Sequence, residues 1–274
     1  MLPKNFYKIC LLFLLLAGTL LACGLSSTIT SGGTPIVTTT PPTGSPTLNQ
    51  WVTASPGVDI RYEDWKSPGN NEDTVTIVRF DLNKVHFKVG YQPAKPLAID
   101  QWMAQEQATA IINGGYFDQN NATTALVVSN GQAYGTSYNG FGGMLSVDTQ
   151  GNISLRSLNQ QPYNQNNDQL QQATQSSPML IVNGKRTQFN ANAASQRRSV
   201  VAQDAQGRLL FIASPSSAFS LDELADLLVS SDLSIKTALN LDGGASTGLY
   251  VNAGKQHVAI DAVTTLPIVI IVKP

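Results

Sequence analysis

The sequence predicts an α+β fold in which a few helices pack on one large mixed, mainly antiparallel β-sheet. Many short apolar runs are separated by turn sequences such as Asn130-Gly131 and residues 148–151, a pattern typical of β-hairpins. Only residues 97–107 and 219–228 have the three-to-four-residue apolar spacing of a helix. Glycine-rich loops follow two of the apolar runs, so we expect the functional loops at strand ends.

Composition limits the class of protein. The chain has 274 residues, of which 42% are hydrophobic and 13% charged, and its formal net charge is −1. This size suits about one domain, and so weak a charge offers no basic surface for nucleic acid. The two cysteines are Cys10 and Cys23, and the two histidines are His86 and His257. These counts disfavour a Ser-His-Asp triad, a disulfide and a zinc site, and no cofactor is expected.

The first 50 residues indicate export. Residues 1–22 combine Lys4 and Lys8 with an apolar run too short for a typical spanning helix, as in a signal peptide. The run ends Leu-Leu-Ala-Cys-Gly, which resembles a bacterial lipobox with Cys23 as the lipidated residue. Residues 23–50, rich in Ser, Thr, Gly and Pro, are the expected tether. We therefore expect a secreted lipoprotein anchored to the bacterial cell membrane, with an uncleaved anchor or a plain signal peptide as alternatives.

Residues 51–274 form the predicted domain, and each of its elements follows from a local pattern. Ser220 and Glu223 form a predicted capping box, which begins a helix that leads into the strand ending at Asp242. Residues 159–175 are dominated by Asn and Gln and are expected to form an exposed insertion. The last apolar run is continuous, which predicts a central strand. Strands are predicted over residues 75–82, 85–91, 109–113, 200–203, 208–213 and 266–272.

Two stretches share one design, in which an apolar strand is followed by a polar residue and Gly-Gly. The first is AIINGGYFD at residues 110–118, and the second is TALNLDGGASTGLYV at residues 237–251. Glycine pairs permit positive φ and close approach of the backbone to a ligand, and successive N–H groups can bind an anion. We therefore expect both loops to line one pocket. A Gly-Gly hairpin turn with a solvated aspartate is the alternative for the second stretch.

These two stretches, together with RRSVVAQDAQGRLLFI at residues 197–212, resemble the phosphodiester glycosidase family. The resemblance covers residues 51–274, and its motifs are specific in combination. The family includes the lysosomal enzyme that uncovers mannose 6-phosphate by removing N-acetylglucosamine from a phosphodiester. This chain lacks the cysteine-rich accessory region of that enzyme. The resemblance therefore implies a hydrolase that cleaves an N-acetylglucosamine-like sugar from a sugar-1-phosphodiester of the cell envelope or an exopolysaccharide.

The resemblance also implies roles for particular residues. Asp242 is expected to act as a base or nucleophile at the anomeric carbon, Arg198 to hold phosphate, and Asn113 to orient the sugar or the water. Asp118 is a second carboxylate candidate, with a turn-forming role as an equal alternative. The predicted substrate-binding residues are Gly114, Gly115, Asp118, Asn240, Gly243, Gly244, Ser246 and Thr247.

Other functional classes also fit these residues. One is a non-catalytic carbohydrate-binding envelope lipoprotein. Another is a metal-dependent phosphodiesterase that uses Asp242, Asp118 and asparagine oxygens around a divalent cation. A purely structural envelope protein would leave the two polar Gly-Gly loops unexplained. The expected ligand is therefore a carbohydrate or a sugar phosphodiester. We expect the site to need no cofactor, and a bound divalent metal is the alternative.

Overall fold

The structure is a computed structural model that describes residues 47–189 and 194–274. Cys23, the predicted signal peptide and most of the predicted tether lie outside the described residues. Among the residues described, no helix is long and apolar enough to cross a membrane.

The described residues are mostly strands. Two α-helices, α1 (Ile99–Glu106) and α2 (Leu221–Ser230), and one 3-10 helix, η1 (Gly244–Ser246), interrupt them. The strands are β1 (Val52–Ser55), β2 (Val58–Lys66), β3 (Glu72–Phe80), β4 (His86–Tyr91), β5 (Ala110–Asn113), β6 (Val127–Ser129), β7 (Gln132–Tyr134), β8 (Gly143–Asp148), β9 (Ile153–Ser157), β10 (Leu170–Ser176), β11 (Met179–Val182), β12 (Lys185–Arg186), β13 (Gln196–Asp204), β14 (Leu209–Phe219), β15 (Ile235–Asn240), β16 (Leu249–Ala253), β17 (Gln256–Ile260) and β18 (Ile268–Lys273).

These strands form three sheets, whereas the sequence predicted one. The first sheet has the order β1-β2-β3-β14-β13-β15-β11-β12, the second β7-β6-β10-β8-β9, and the third β17-β16-β5-β18-β4. Every pairing between these strands is antiparallel, and one isolated parallel bridge joins Leu48 to Tyr62 of β2. The mainly antiparallel prediction is confirmed. The fold is therefore β-rich, with two helices, rather than a balanced α+β arrangement.

A cluster of phenylalanine rings joins the first sheet to the third. Phe80 on β3 and Phe211 on β14 meet edge-on with centroids 4.8 Å apart, and Phe87 on β4 lies 5.5 Å from Phe80 and 6.0 Å from Phe211. Their side chains lie in one buried core with residues of β5, β15 and β18. The packing of these rings therefore holds β5 and β15, the strands that precede the two Gly-Gly loops, in one core.

Helix α2 begins as the capping box predicts. The Glu223 N–H donates to Ser220 Oγ at 3.2 Å, and the Ser220 N–H donates to Glu223 Oε2 at 3.0 Å. Leu224, Ala225 and Leu228 then form the buried face of the helix. The final strand β18 is central, because it pairs with β5 on one side and β4 on the other. Both local predictions are confirmed.

The prediction of an exposed insertion over residues 159–175 is wrong for its second half. Strand β10 lies in the middle of the second sheet, between β6 and β8. Gln172 and Gln175 are buried there, and both use their amides in hydrogen bonds: Gln172 Oε1 accepts from the Val89 N–H at 3.0 Å, and Gln175 Oε1 from the Tyr138 N–H at 2.9 Å. Glutamine side chains that are paired in this way can be buried at little cost, which composition alone does not reveal.

The phenylalanine cluster gives a test of this architecture. Phe211→Ala removes a fully buried ring from the contact between two sheets, so we expect the free energy of unfolding to fall by about 3–5 kcal/mol. Urea denaturation measures the change. The matched control is Val229→Ala on the exposed side of α2, which should stay within about 0.5 kcal/mol of the wild type. Equal losses in both variants would contradict the packing described.

Candidate functional site

The two Gly-Gly loops, which the sequence predicted to line one pocket, contact each other directly. Strand β5 ends at Asn113, and the Asn113 Nδ2 donates to the backbone oxygen of Asp242 at 2.7 Å. The Asp242 N–H donates in return to the Gly114 oxygen at 3.1 Å. The Gly248 N–H donates to Asn113 Oδ1 at 3.2 Å. Asn113 is 1% exposed, and both its amide nitrogen and its amide oxygen form hydrogen bonds to the second loop. Asn113 therefore positions that loop rather than a substrate.

The first pair of glycines is required by packing within the protein. A Cβ on Gly114 would lie 2.4 Å from Ile268 Cγ2, and one on Gly115 would lie 2.1 Å from the Gln175 oxygen. Neither residue has a positive φ, so the expected left-handed turn is absent from this loop. Here the glycines let the loop approach β10 and β18 rather than a ligand. In the second loop, Gly244 has a φ of +58°, which does favour glycine.

The Asp242 carboxylate is held at the start of the second loop. The Gly243 N–H donates to Asp242 Oδ1 at 3.0 Å, and the Ser246 side chain also hydrogen-bonds to this carboxylate. Burial raises the pKa of Asp242 above its ordinary value, and these two hydrogen bonds oppose that rise. The carboxylate is therefore a stronger base than a solvated aspartate. Gly243 was predicted to bind substrate, and its N–H instead donates a hydrogen bond to Asp242.

Arg198 is a buried cation with no carboxylate partner in the described chain. Its Nε donates to the Phe219 oxygen at 3.0 Å and its Nη2 to the Ala194 oxygen at 2.9 Å. The remaining nitrogen, Nη1, lies 3.8 Å from where a Cβ on Gly243 would be. Burial lowers the pKa of Arg198 from its ordinary value. The guanidinium is thus fixed by two carbonyl groups, and its third nitrogen lies beside the Asp242 loop.

Tyr116 is a site residue that the sequence analysis missed. Its hydroxyl donates to the Ser177 oxygen at 2.8 Å and accepts from Asn240 Nδ2 at 2.9 Å. Burial, with the negative charge of Asp242, raises the pKa of Tyr116 to about 12, while Arg198 acts in the opposite direction. Tyr116 therefore lies within electrostatic reach of both groups and stays protonated. Its position directly after Gly114-Gly115 was the available signal.

Asn240 and Thr247 hold buried polar atoms that the protein leaves unpaired. Asn240 Nδ2 donates to Tyr116 and to the Ser177 oxygen at 3.0 Å, but its Oδ1 has no partner. Thr247 is fully buried, and its Oγ1 also has no partner. Buried polar atoms are rarely left without a partner, so both atoms are candidates to contact a bound molecule or water.

Asp118 forms a turn, which was the alternative to its predicted role as a second carboxylate of the site. It is exposed, and its Oδ1 accepts from the Asn120 N–H at 2.8 Å and the Ala122 N–H at 2.9 Å, which forms a tight turn. Among the described residues, no group of three or more His, Cys, Asp or Glu side chains is placed to hold a metal ion.

Arg197 is a second residue that sequence reasoning left out of the site. Its Nε donates to the Pro215 oxygen at 2.8 Å and its Nη2 to the Asp261 oxygen at 2.7 Å. The loop after Asp261 in turn holds the second Gly-Gly loop, because the Val263 N–H donates to the Ala245 oxygen at 2.7 Å. Arg197 therefore braces the loop that follows Asp242.

Comparisons with known proteins identify the family and the fold of the chain. A model of the phosphodiester glycosidase family matches residues 106–272. The zebrafish N-acetylglucosamine-1-phosphodiester alpha-N-acetylglucosaminidase catalytic domain, auto-inhibited by its pro-peptide, has a TM-score of 0.62 at 17% identity, over 79% of this chain and 83% of that one. A hypothetical protein from Synechocystis has a TM-score of 0.59 at 16% identity, over 83% of this chain and 64% of that one. At these identities the structures show a shared fold alone. No curated protein sequence matches the chain significantly.

The contact between the loops predicts the effect of removing Asn113. Asn113→Ala leaves the Asp242 oxygen and the Gly248 N–H without their partner, so we expect a loss of about 2–4 kcal/mol in the free energy of unfolding. Urea denaturation measures it. Asn120→Ala, in the exposed turn, is the matched control and should change little. A variant at position 113 as stable as the wild type would contradict the assigned role.

The raised pKa of Asp242 predicts a pH-dependent change in stability. The folded protein binds this proton more tightly than the unfolded chain, so the free energy of unfolding falls as pH rises between the two pKa values. We expect Asp242→Asn to be more stable than the wild type at pH 7, with a difference that shrinks toward about pH 4. Urea titrations at several pH values measure it.

Asp148→Asn is the control of opposite sign. Hydrogen bonds from Asn152 lower the pKa of Asp148, so its carboxylate stabilises the fold above its ordinary pKa and loses this effect as pH falls. The variant should therefore be less stable than the wild type at pH 7. A stabilised Asp148→Asn, or a destabilised Asp242→Asn, at pH 7 would show that the assigned causes are wrong.

Proposed function

The chain belongs to the phosphodiester glycosidase family, and from this premise we propose that it hydrolyses the bond between the anomeric carbon of a sugar and phosphate in a sugar-1-phosphodiester. Water supplies the new hydroxyl group of the sugar. The phosphate leaves as a monoester with the bonding electron pair, and the proton of the water passes to a base. The products are a free sugar and a phosphomonoester.

The observation that carries this proposal is the pair of buried charged groups at the contact of the two loops. Asp242 is desolvated, and its hydrogen bonds come from a backbone N–H and a serine rather than from a cation. Arg198 is desolvated and is held by carbonyl oxygens rather than by a carboxylate. Because neither charge is neutralised by the other, each is available to a substrate that brings both an anion and an electron-poor carbon.

Arg198 suits the phosphate, and Asp242 suits the anomeric carbon. A guanidinium fixed at two nitrogens needs no reorganisation when an anion binds its third, which favours binding and catalysis. A carboxylate of raised pKa takes a proton from water, or attacks directly, and stabilises the positive charge that develops on the sugar ring. The leaving phosphate is a weak base, so it departs without strong acid catalysis. The site accordingly needs one ionised carboxylate rather than two.

Tyr116, Asn240 and Ser246 support these two groups. Tyr116 remains protonated near neutral pH, so it acts as a hydrogen-bond donor and not as a base. Asn240 Oδ1 is an acceptor without a donor, which suits a sugar hydroxyl group, an acetamido N–H or a water. Ser246 hydrogen-bonds to Asp242 and fixes the direction of the carboxylate.

We propose an N-acetylglucosamine-like sugar as the part released. This rests on the family and on the name of the zebrafish enzyme, whose catalytic domain shares the fold. We also propose that the protein acts in the cell envelope or on an exopolysaccharide, anchored through a lipid on Cys23. The support is the sequence of residues 1–50, with its apolar run and the Leu-Ala-Cys-Gly pattern.

The test is hydrolysis of an α-N-acetylglucosamine-1-phosphodiester by the purified full-length protein, with release of free sugar as the measurement. We expect kcat/KM to fall by about 10²–10⁴-fold in Asp242→Asn and by roughly 10²–10³-fold in Arg198→Lys. Arg208→Lys, whose guanidinium is paired with Asp204, is the control and should retain activity. The wild-type rate should also fall at low pH with an apparent pKa above that of a solvated aspartate.

The alternative functions predict different outcomes. A metal-dependent phosphodiesterase would lose activity with EDTA and regain it with a divalent cation, whereas the proposed mechanism tolerates EDTA. A carbohydrate-binding protein without turnover would bind the substrate and release no sugar, and Asp242→Asn would then behave as the wild type. Full activity in Asp242→Asn would refute the role assigned to this carboxylate.

A further inference from the structure

A cleft of about 550 Å³ opens beside the proposed site. Three segments form its walls: the loop before β8, the residues after β9, and the chain on either side of the β11–β12 hairpin. The side chains used below are Phe141, Asn159, Gln160, Ser177, Gln188 and Phe189. A volume of this size is in the range of pockets that hold a small organic ligand.

Ser177 connects this cleft to the site. Its backbone oxygen accepts hydrogen bonds from Tyr116 and from Asn240, while the residue itself lines the cleft. Tyr138 borders the cleft as well, since its ring stacks on Phe141 with centroids 4.5 Å apart. Ser177 therefore belongs both to the hydrogen-bond network of Tyr116 and Asn240 and to the wall of the cleft.

The charge of the cleft differs from that of the site. None of the described residues that line it is ionisable. The guanidinium of Arg186 lies 5.6 Å from the centroid of the Phe189 ring, but it is already paired with Asp222 and Asp226. A charged ligand would therefore lose hydration in the cleft without gaining an unpaired countercharge, which disfavours it. Three amide side chains, Asn159, Gln160 and Gln188, supply hydrogen-bond donors and acceptors instead. The lining thus selects for a neutral ligand that carries many polar groups.

Two phenylalanine rings add flat apolar surfaces to these amides. Phe141 is 52% exposed although its ring stacks on Tyr138, and Phe189 lines the cleft as well. A pyranose ring has one apolar C–H face, which packs on an aromatic ring while its hydroxyl groups bond to amides at the edge. Aromatic rings beside amide groups therefore suit a sugar chain better than an aliphatic chain, which would leave the amides unpaired.

The loop that carries Phe141 is held in place before any ligand binds. Gln175 is 1% exposed; its Oε1 accepts from the Tyr138 N–H at 2.9 Å, and its Nε2 donates to Ser137 Oγ at 2.8 Å. A Cβ on Gly142 would lie 2.6 Å from the Ser176 oxygen, so the loop also packs closely on the end of β10. A surface ordered in advance binds with a smaller loss of entropy.

We propose that this cleft binds an uncharged, polyhydroxylated segment of the substrate, a neutral glycan or polyol, next to the phosphodiester. The phosphate remains at Arg198, and the neutral segment lies on Phe141 and Phe189 with its hydroxyl groups on Asn159, Gln160 and Gln188. The natural substrate is then a phosphodiester within a neutral glycan or polyol rather than a nucleotide sugar or an anionic polymer. Only the statement that the ligand is part of the substrate rests on the proposed function.

Binding of phosphate-free glycans to the full-length protein tests this inference. The probes are an array of neutral and anionic oligosaccharides, followed by isothermal titration of the neutral oligosaccharide that binds best. We expect neutral oligosaccharides to bind and anionic ones of the same length to bind more weakly. Phe141→Ala should weaken binding by about two- to tenfold, and Gln160→Ala should also weaken it.

Tyr134→Ala is the matched control. Tyr134 is also an exposed aromatic residue, 41% exposed against 52% for Phe141, and its ring also contacts a tyrosine, with its centroid 4.8 Å from that of Tyr91. It does not line the cleft, so its removal should leave glycan binding as in the wild type. The inference is overturned by a preference for anionic glycans, by no glycan binding, or by equal effects of Phe141→Ala and Tyr134→Ala.

This experiment separates the inference from the proposed function, because it needs no turnover. If neutral glycans bind in a way that depends on Phe141 but no sugar phosphodiester is hydrolysed, the glycan-binding role of the cleft is supported and the proposed enzymatic function is refuted. If a sugar phosphodiester is hydrolysed but glycan binding does not depend on Phe141, the enzymatic function is supported and the proposed glycan-binding role of the cleft is refuted.

Discussion

The hydrogen bonds that Asn113 makes between the two Gly-Gly loops are the interaction on which the site depends. The amide of Asn113 bonds to the backbone on both sides of the second loop, at Asp242 and at Gly248. Asp242 is thereby placed at the end of β5, although it follows β15 in another sheet. Because the amide is buried, the loss of either partner would leave a polar group without water, and that cost resists separation of the loops.

The same arrangement places two charges in a partly desolvated environment without neutralising them. Burial raises the pKa of Asp242 and lowers that of Arg198, the expected directions when the charged form of each group is disfavoured. Carbonyl oxygens fix the guanidinium, and a backbone N–H and a serine fix the carboxylate. Structural ion pairs in this protein differ: Arg156 and Asp168, for example, bond directly at 2.6 Å. The candidate site thus differs from such ion pairs, because its carboxylate and its guanidinium do not bond to each other.

Patterns within a few residues predicted much of the fold. The Ser220–Glu223 capping box, the hairpin turns and the central final strand are local, and all are present. Predictions that depended on composition over a longer segment were weaker. The Asn- and Gln-rich segment was expected to be exposed, yet its second half forms β10, whose buried glutamines bond to residues far along the chain. Composition reports polarity, but whether a polar side chain is buried depends on whether a partner is present.

The sequence by itself determined that two Gly-Gly loops follow strands, that Asp118 and Asp242 are the acidic residues within them, and that the motifs resemble one family, from which Arg198 was predicted. Only the tertiary structure decided which atoms meet. Asn113 and Asp242 are 129 residues apart, and Tyr116 and Ser177 are 61 apart. Contacts of this kind depend on how three sheets are assembled and on the register of their strands, which the residues adjacent in the chain do not specify. For the same reason, Tyr116 and Arg197 could be assigned to the site only from the folded structure.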